Sequence, residues 1–345
     1  SACLSPLTGP NPTPDPDDEN AVKNDYSAAI GALILSLVFL LGVPGNLFIV
    51  WSILARCQQR SVTTLLILNL ACADGFLMAL TIFFIIYLVM QTWVFGNAMC
   101  KILFYLCNSN MYASIFLITL MSVHRLLAIV FPHTLYHLIT RKVVRRVILG
   151  TWVLVMVMSI PSLVFRDVKK ETDDMNQTTY VCYAFETVAG FIIPYAIIIT
   201  CYVVILKRLR ETKFQRNSHS EKLILAIVIT FGLFWLPYHV INMVQVCEGM
   251  FLTNIHAISQ SSRAVTSALA FISSCANPVL YTFAGKSYIK KNGFAFMAKL
   301  FEGTLSDQTG TKSTRLTTYD NVGESNSQVC KYVKTTKKKK SVMYV

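Results

Sequence analysis

Seven long blocks of apolar residues follow one another along the chain, separated by short polar stretches. Asp74 is the only Asp, Glu, Lys or Arg inside them, and they lie at 28–54, 65–90, 102–123, 147–165, 188–206, 223–246 and 264–284. A bilayer core of about 30 Å takes roughly 20 residues of helix. Hydrocarbon offers no partner to unpaired backbone groups, so such segments must be helical. The pattern predicts an all-α membrane protein with seven transmembrane helices, which we number as spans one to seven.

Composition and charge agree with that prediction and orient it. Of the residues, 54% are hydrophobic and only 14% are charged, where soluble domains carry about 25%. The tail and the loops at 55–62, 124–146 and 207–222 hold 25 of the 31 Lys and Arg residues. Positive loops stay in the cytoplasm, so we expect a multi-pass plasma-membrane protein with an extracellular N-terminus and a cytoplasmic C-terminus. The net charge of +13 then reflects topology and attraction to membrane lipid, and not binding of nucleic acid.

The polar and proline residues inside the blocks are few, and they occur in a fixed order. An ionisable group within a span is a functional hypothesis by default. The positions are Gly45-Asn46, Asp74, Cys100 and Arg125 at the two ends of span three, Trp152, Pro194, Phe234-Trp235-Leu236-Pro237 and Asn277-Pro278-Val279-Leu280-Tyr281. From about residue 28 to residue 303, this order closely resembles the rhodopsin-like (class A) G-protein-coupled receptors.

Longer stretches resemble one branch of that family, the leukotriene B₄ receptors of the chemoattractant group. Examples are Arg60-Ser61-Val62-Thr63, Tyr238-His239-Val240 after the span-six motif, and Ala298-Lys299-Leu300-Phe301-Glu302. The resemblance implies a receptor for leukotriene B₄ or a related oxidised fatty acid that signals through a heterotrimeric G protein of the inhibitory type. A chemoattractant peptide receptor is the alternative, because the acidic stretch at 15–19 would suit a basic peptide.

Other classes of seven-helix and catalytic protein fit less well. A retinal pump requires a lysine in the last span, and 264–284 contains none. A transporter would show an internal repeat, and a hydrolase would bring a nucleophile, a base and an orienting acid together. We see neither pattern. We therefore expect no enzymatic activity and no cofactor, apart from an allosteric sodium ion.

A pocket for a fatty acid needs apolar walls, a cation for the carboxylate and a few hydrogen-bonding groups. Arg166 and Arg263 stand at the outer ends of spans four and seven, although both could instead be interfacial anchors with buried stems. Along span six, Trp235, then Tyr238 or His239, and then Asn242 recur on one helical face. The resemblance places the following residues in the pocket: Tyr112, Arg166, Glu186, Tyr238 and Asn242. One departure is Phe104, which stands where that family usually has a histidine.

A lone carboxylate inside a span either binds a cation or becomes protonated. By resemblance, the neighbours of Asp74 are Asn46, Ser114, Ser273 and Asn277, and Asp74 is the metal-binding residue of an allosteric sodium pocket.

The cytoplasmic end of span three departs from the family signature of an acid followed by arginine. It reads His124-Arg125, so the acid that restrains the arginine is missing. The resemblance gives Arg125 the role of meeting the G protein when span six moves, and makes these residues the rest of the activation switch: His124, Tyr202, Trp235, Pro237, Asn277, Pro278 and Tyr281. Alternatively, His124 is an interfacial residue without a role in switching.

Outside the spans, we expect a disulfide between Cys100, at the start of span three, and Cys182, in the second extracellular loop. A Cys3–Cys247 bridge is a further hypothesis. Asn176-Gln177-Thr178 is a glycosylation site in the same loop. We expect an extracellular segment at 1–27, a receptor domain at 28–303 ending in an amphipathic helix at 286–300, and a disordered tail at 304–345. The hydroxyls of the tail suit a receptor kinase and arrestin.

Overall fold

The computed structural model of the protein describes residues 17–56, 61–131, 139–165, 177–211, 219–251 and 256–284. Span one is α1 (Asp17–Trp51), which continues as a π-turn at Ser52–Arg56. Spans two and three are α2 (Val62–Met90) and α3 (Gly96–Val130). Span four consists of α4 (Arg141–Met158) and the short α5 (Ile160–Phe165).

Span five is divided by a second π-turn. It begins as α6 (Gln177–Thr187), passes through the π-turn at Val188–Ile192 and continues as α7 (Ile193–Glu211). Spans six and seven are α8 (His219–Phe251) and α9 (His256–Ala284). The elements of the described residues are therefore helical, in the order that the hydrophobic blocks predict.

Six of these helical regions are long and apolar enough to cross a membrane, the first at Ala28–Ala55 and the sixth at Ile224–Cys247. In span seven, the side chains are described from Val265 to Leu280, and this stretch is also an apolar helix. Large apolar side chains such as Leu33, Leu40 and Leu233 are exposed on the outer surface of the helices. An apolar surface of this kind matches lipid tails, so the prediction of an all-α membrane bundle is confirmed.

Local sequence explains where several helices begin and end. Ser61 caps α2, and its Oγ accepts a hydrogen bond of 3.1 Å from the backbone N–H of Thr64. Thr140 caps α4 in the same way, through Val143 at 3.3 Å. Such caps satisfy N–H groups that have no partner within the helix. At the other end of α2, Gln91 adopts a left-handed conformation with φ of 53°, a common way to terminate a helix.

Span three runs through the middle of the bundle and contacts spans two, four, five and six, whereas span one packs between spans two and seven. Small residues permit the closest approaches. A Cβ added to Gly45 in span one would lie 2.9 Å from the ring of Pro278 in span seven. Close packing of backbones, rather than a hydrophobic driving force, holds helices together in lipid. The same packing brings the polar positions of spans one, two, three and seven towards one another.

Candidate functional site

Asp74 in span two is fully buried and accepts hydrogen bonds from two other spans. Its Oδ2 lies 2.7 Å from Nδ2 of Asn277, and its Oδ1 lies 3.4 Å from both Nδ2 of Asn110 and Oγ of Ser114. The hydroxyl of Ser274 in span seven also lies close to this carboxyl group. Burial of a carboxylate is costly without such donors or a cation. Spans two, three and seven therefore meet at one acidic side chain.

Asn110 contacts Asp74 although it is absent from the predicted set. It lies four residues before Ser114, so the two side chains share one face of span three, and that spacing is the signal that identifies it. Its Oδ1 is buried and has no hydrogen-bond partner among the described residues, and the same is true of Oδ1 of Asn46. Amide oxygens and a carboxylate are the ligands that hard cations prefer.

Two predicted neighbours of Asp74, Asn46 and Ser273, make their hydrogen bonds elsewhere. Asn46 donates to the carbonyl oxygens of Gly42, at 3.0 Å, and of Ser274, at 3.3 Å. It therefore joins span one to span seven. In span seven, Asn277 donates to the Asp74 carboxyl group, and Ser274, one position after Ser273, lies close to it.

Ser273 instead connects span seven to the tryptophan of span six. Nε1 of Trp235 donates to Oγ of Ser273 at 2.9 Å, and Ser273 donates to the carbonyl of Ala270 at 2.8 Å. Trp235 is buried, and its ring lies 5.6 Å from that of Phe231 on the same helix. A movement of the Trp235 ring would therefore break or displace its hydrogen bond to Ser273 in span seven.

The π-turn of span five follows from a proline and a glycine. Pro194 has no N–H, so the carbonyl four residues earlier, that of Gly190, lacks its usual helical partner. A Cβ on Gly190 would lie 2.6 Å from Cε1 of Tyr112 in span three. The glycine therefore lets span five approach the buried Tyr112 ring. Single π-turns within α-helices occur frequently at functional sites.

Just before the π-turn, Glu186 meets span six. The hydroxyl of Tyr238 donates a hydrogen bond of 2.8 Å to Oε1 of Glu186, and both residues are buried. The resemblance places both residues in the pocket, and the structure brings them into contact. Tyr112, Glu186 and Tyr238 belong to spans three, five and six.

The next residue pair along the same two helices is also in contact. Oγ1 of Thr187 lies 3.2 Å from Nδ1 of His239. The His239 ring is stacked on Phe191, with centroids 4.6 Å apart and planes at 25°. Thr187 is absent from the predicted set, and His239 entered it only as an alternative to Tyr238 on one face of span six.

Farther along span six, Asn242 follows Tyr238 by four residues, and Gln245 follows Asn242 by three. Both are buried. The buried face of span six that begins at Trp235 therefore carries polar side chains over about three helical turns. The spacing along span six predicted Asn242 for the pocket. Gln245 extends the same pattern and could have been added to the set on the same grounds.

Aromatic residues of spans two, three and seven form a cluster. The ring of Phe84 lies 6.2 Å from that of Phe104 and 6.0 Å from that of Phe271. All three side chains are half-buried. Phe104, the departure noted above, therefore belongs to an apolar cluster.

Towards the C-terminal end of span three, His124 and Arg125 are both buried. Nδ1 of His124 has no hydrogen-bond partner among the described residues, and Tyr202 in span five is half-buried. The side chain of Tyr281 is not described, so its predicted contact with Arg125 stays a prediction. Pro237 and Pro278 lie within α8 and α9 as expected.

Several predictions fall outside the described residues. These are Arg166, the glycosylation site at Asn176, the side chain of Arg263, Cys3, the amphipathic helix at 286–300 and the tail. Cys100 is buried and disulfide-bonded, while its pairing with Cys182 stays a prediction. The domain boundaries at 27 and 303 also remain predictions.

Comparison with known proteins places the chain among receptors. The family model described as "7 transmembrane receptor (rhodopsin family)" matches residues 45–281. Human "Leukotriene B4 receptor 1" is 37% identical over 306 residues, which cover 84% of this chain and 86% of that protein. Human "Leukotriene B4 receptor 2" is 34% identical over 318 residues, or 86% of this chain and 87% of that protein.

A relative with a different printed ligand is also similar. The zebrafish (Danio rerio) "C3a anaphylatoxin chemotactic receptor" is 31% identical over 313 residues, which cover 88% of this chain and 84% of that protein. All three similarities span most of both chains.

Proposed function

The chain belongs to the rhodopsin family of seven-transmembrane receptors and is not an enzyme, and on that basis we propose that it binds leukotriene B₄ or a related oxidised fatty acid and activates a heterotrimeric G protein. The observation that carries the ligand class is its similarity to two leukotriene B₄ receptors over more than four fifths of its length. The inhibitory type of G protein is the proposed partner.

The geometry of the outer half supports such a ligand. Leukotriene B₄ is a long apolar chain with one carboxylate and two hydroxyls. The hydrogen-bonding side chains of spans five and six include Glu186, Tyr238 and Asn242, and the aromatic residues Phe84 and Phe104 pack together between spans two and three. A pocket that is mostly apolar with a few placed polar groups suits an amphipathic small molecule.

We assign the ligand carboxylate to Arg166, with Arg263 as a second candidate. A charge-assisted hydrogen bond of this kind contributes about 1.5–3 kcal/mol. Arg166→Ala should therefore weaken binding of radiolabelled leukotriene B₄ to membranes at least tenfold, and Arg263→Ala is the parallel variant. An unchanged affinity in Arg166→Ala would make this residue an interfacial anchor.

We place an allosteric sodium ion at Asp74. The carboxyl group and the buried amide oxygens of Asn46 and Asn110 fit a small hard cation, and the hydroxyl of Ser114 is close enough to join them. Bound sodium would supply positive charge between spans two, three and seven. The hydrogen bond of Asn277 to the same carboxyl group couples this site to span seven.

Signal transfer in this proposal runs from Trp235 through Ser273 to span seven and ends at Arg125, which meets the G protein. Pro237 and Pro278 interrupt the helical hydrogen bonding of spans six and seven, which permits these helices to bend. The cytoplasmic tail is the proposed binding region for a receptor kinase and arrestin.

A chemoattractant peptide is the second candidate ligand, supported by similarity to the C3a receptor. Competition binding on membranes separates the two candidates. Displacement of labelled leukotriene B₄ by unlabelled leukotriene B₄, and not by C3a peptide, supports the lipid. Saturable binding of labelled C3a peptide, without binding of leukotriene B₄, would instead identify a peptide as the ligand.

A further inference from the structure

His239 in span six carries a hydrogen-bonding atom that no residue described in the structure satisfies. Its side chain is 2% exposed. Nδ1 faces Oγ1 of Thr187 at 3.2 Å, whereas Nε2 is buried and has no hydrogen-bond partner among the described residues. Buried polar groups in proteins nearly always have a partner. A polar group from outside the described chain is therefore expected at Nε2.

The surrounding rings hold the imidazole in one orientation. Phe191 is stacked on it, and Tyr195 is stacked on the other side of Phe191 with centroids 5.2 Å apart. Tyr238 meets the imidazole edge-on at 5.3 Å and 81°. Because its neighbours are packed aromatic rings, rotation of the imidazole ring is restricted. Nε2 is thus a preorganised polar atom in apolar surroundings.

We propose that Nε2 of His239 is the hydrogen-bonding site for one hydroxyl of the bound oxidised fatty acid. This inference rests on the proposed function, which supplies a hydroxylated ligand. The Thr187 hydroxyl can donate to Nδ1 or accept from it, so either tautomer of the ring satisfies that contact. In one tautomer of the neutral ring Nε2 is a donor, and in the other it is an acceptor. A ligand hydroxyl can pair with Nε2 in either case, because it can accept or donate a hydrogen bond.

The location of His239 also explains how a hydroxyl could matter for signalling. Its ring lies 6.0 Å from that of Trp235, whose Nε1 hydrogen-bonds to Ser273 in span seven. Thr187 immediately precedes the π-turn of span five. The His239 ring contacts both Phe191, which belongs to the π-turn, and Trp235. A ligand hydroxyl bound at Nε2 would therefore act on both neighbours through one side chain.

The test compares three ligands on membranes that contain the full-length receptor: leukotriene B₄ and two analogues, each lacking one of its hydroxyls. His239→Phe keeps an aromatic ring against Phe191 and removes both nitrogens. We expect it to weaken leukotriene B₄ binding about 3- to 10-fold, the size of one neutral hydrogen bond. The affinity for one analogue should stay unchanged, so that discrimination against that analogue is lost.

Two further variants sharpen the comparison. His239→Gln retains an amide nitrogen near the position of Nε2 and should keep part of the discrimination, and it also serves if His239→Phe fails to reach the membrane. Val240→Ala alters the neighbouring lipid-facing side chain, which is 49% exposed, and should bind all three ligands as the unmodified receptor does.

Each remaining outcome is decisive. If His239→Phe weakens all three ligands equally, or leaves the discrimination intact, His239 only supports the packing of spans five and six and the inference is overturned. If the unmodified receptor binds none of the three, the proposed function fails, and the ligand assigned to His239 fails with it.

Discussion

The hydroxyl of Tyr238 in span six donates a hydrogen bond of 2.8 Å to Oε1 of Glu186 in span five. This bond joins the two helices at the level of the proposed ligand, one residue before the Thr187–His239 contact. Later in span five, the hydroxyl of Tyr195 donates to the carbonyl of Val228 in span six at 3.2 Å. These polar contacts hold spans five and six together over several turns.

The first prediction concerns Tyr238→Phe, which removes the hydroxyl and keeps the ring. It should lower the stability of the ligand-free receptor by about 1 kcal/mol, because Glu186 loses a hydrogen bond in a buried position. The measurement is the apparent melting temperature of detergent-solubilised receptor. Tyr26→Phe, at a side chain that is 68% exposed, is the control and should have no effect. A melting temperature equal to that of the control would show that the Glu186–Tyr238 bond contributes no stability.

The second prediction uses a pair of glycines. Gly190→Ala places a Cβ where the Tyr112 ring lies, and such overpacking costs about 1–3 kcal/mol. Ligand affinity should fall together with the melting temperature, because Tyr112 must move. Gly150→Ala is the matched control, since an added Cβ there meets no atom within 4 Å. If both variants behave alike, the close approach of span five to Tyr112 has no energetic importance.

How much of this arrangement was predictable differs from residue to residue. Chain-wide hydrophobic patterning predicts the helices, because a bilayer demands a minimum apolar length. It also marks Asp74, Trp235 and Asn277 as unusual, since polar groups inside spans are costly. Asn110 could have been found too, because it shares a helical face with Ser114.

Contacts between helices were harder to predict, because they depend on how neighbouring helices are rotated and shifted along their axes. Periodicity places Tyr238 and His239 near the same face of span six, yet it cannot say that one meets Glu186 and the other Thr187. Likewise, resemblance cannot say that Ser273 hydrogen-bonds to Trp235 of span six while Asn277 hydrogen-bonds to Asp74. The π-turn before Pro194 rotates the outer half of span five, and this local change of period is invisible to a pattern of 3.6 residues.

The third prediction tests the sodium site. Asp74→Asn removes the charge and keeps the shape, so raising sodium chloride should no longer lower agonist affinity in membranes. N-methylglucamine chloride at the same ionic strength separates the effect of the ion from screening. A sodium effect that persists in Asp74→Asn would remove Asp74 from the ion site.

The fourth prediction concerns the departure at the cytoplasmic end of span three. His124→Asp would give Arg125 an acidic neighbour, and a close charge pair of this kind is worth up to about 1 kcal/mol even when it is exposed. Restraining Arg125 by that amount should lower ligand-free activity roughly fivefold. Basal binding of a GTP analogue in membranes, at matched receptor expression, is the measurement. Equal basal rates in the two receptors would mean that other contacts hold span six closed.

The most direct test of the central claim is binding of a GTP analogue to a reconstituted inhibitory-type G protein, stimulated by leukotriene B₄ in membranes that contain this receptor. The claim predicts a saturable, concentration-dependent increase that is absent from receptor-free membranes and that C3a peptide does not reproduce. No response to leukotriene B₄ or to related oxidised fatty acids, together with a saturable response to C3a peptide, would contradict the assignment of this chain as a lipid receptor.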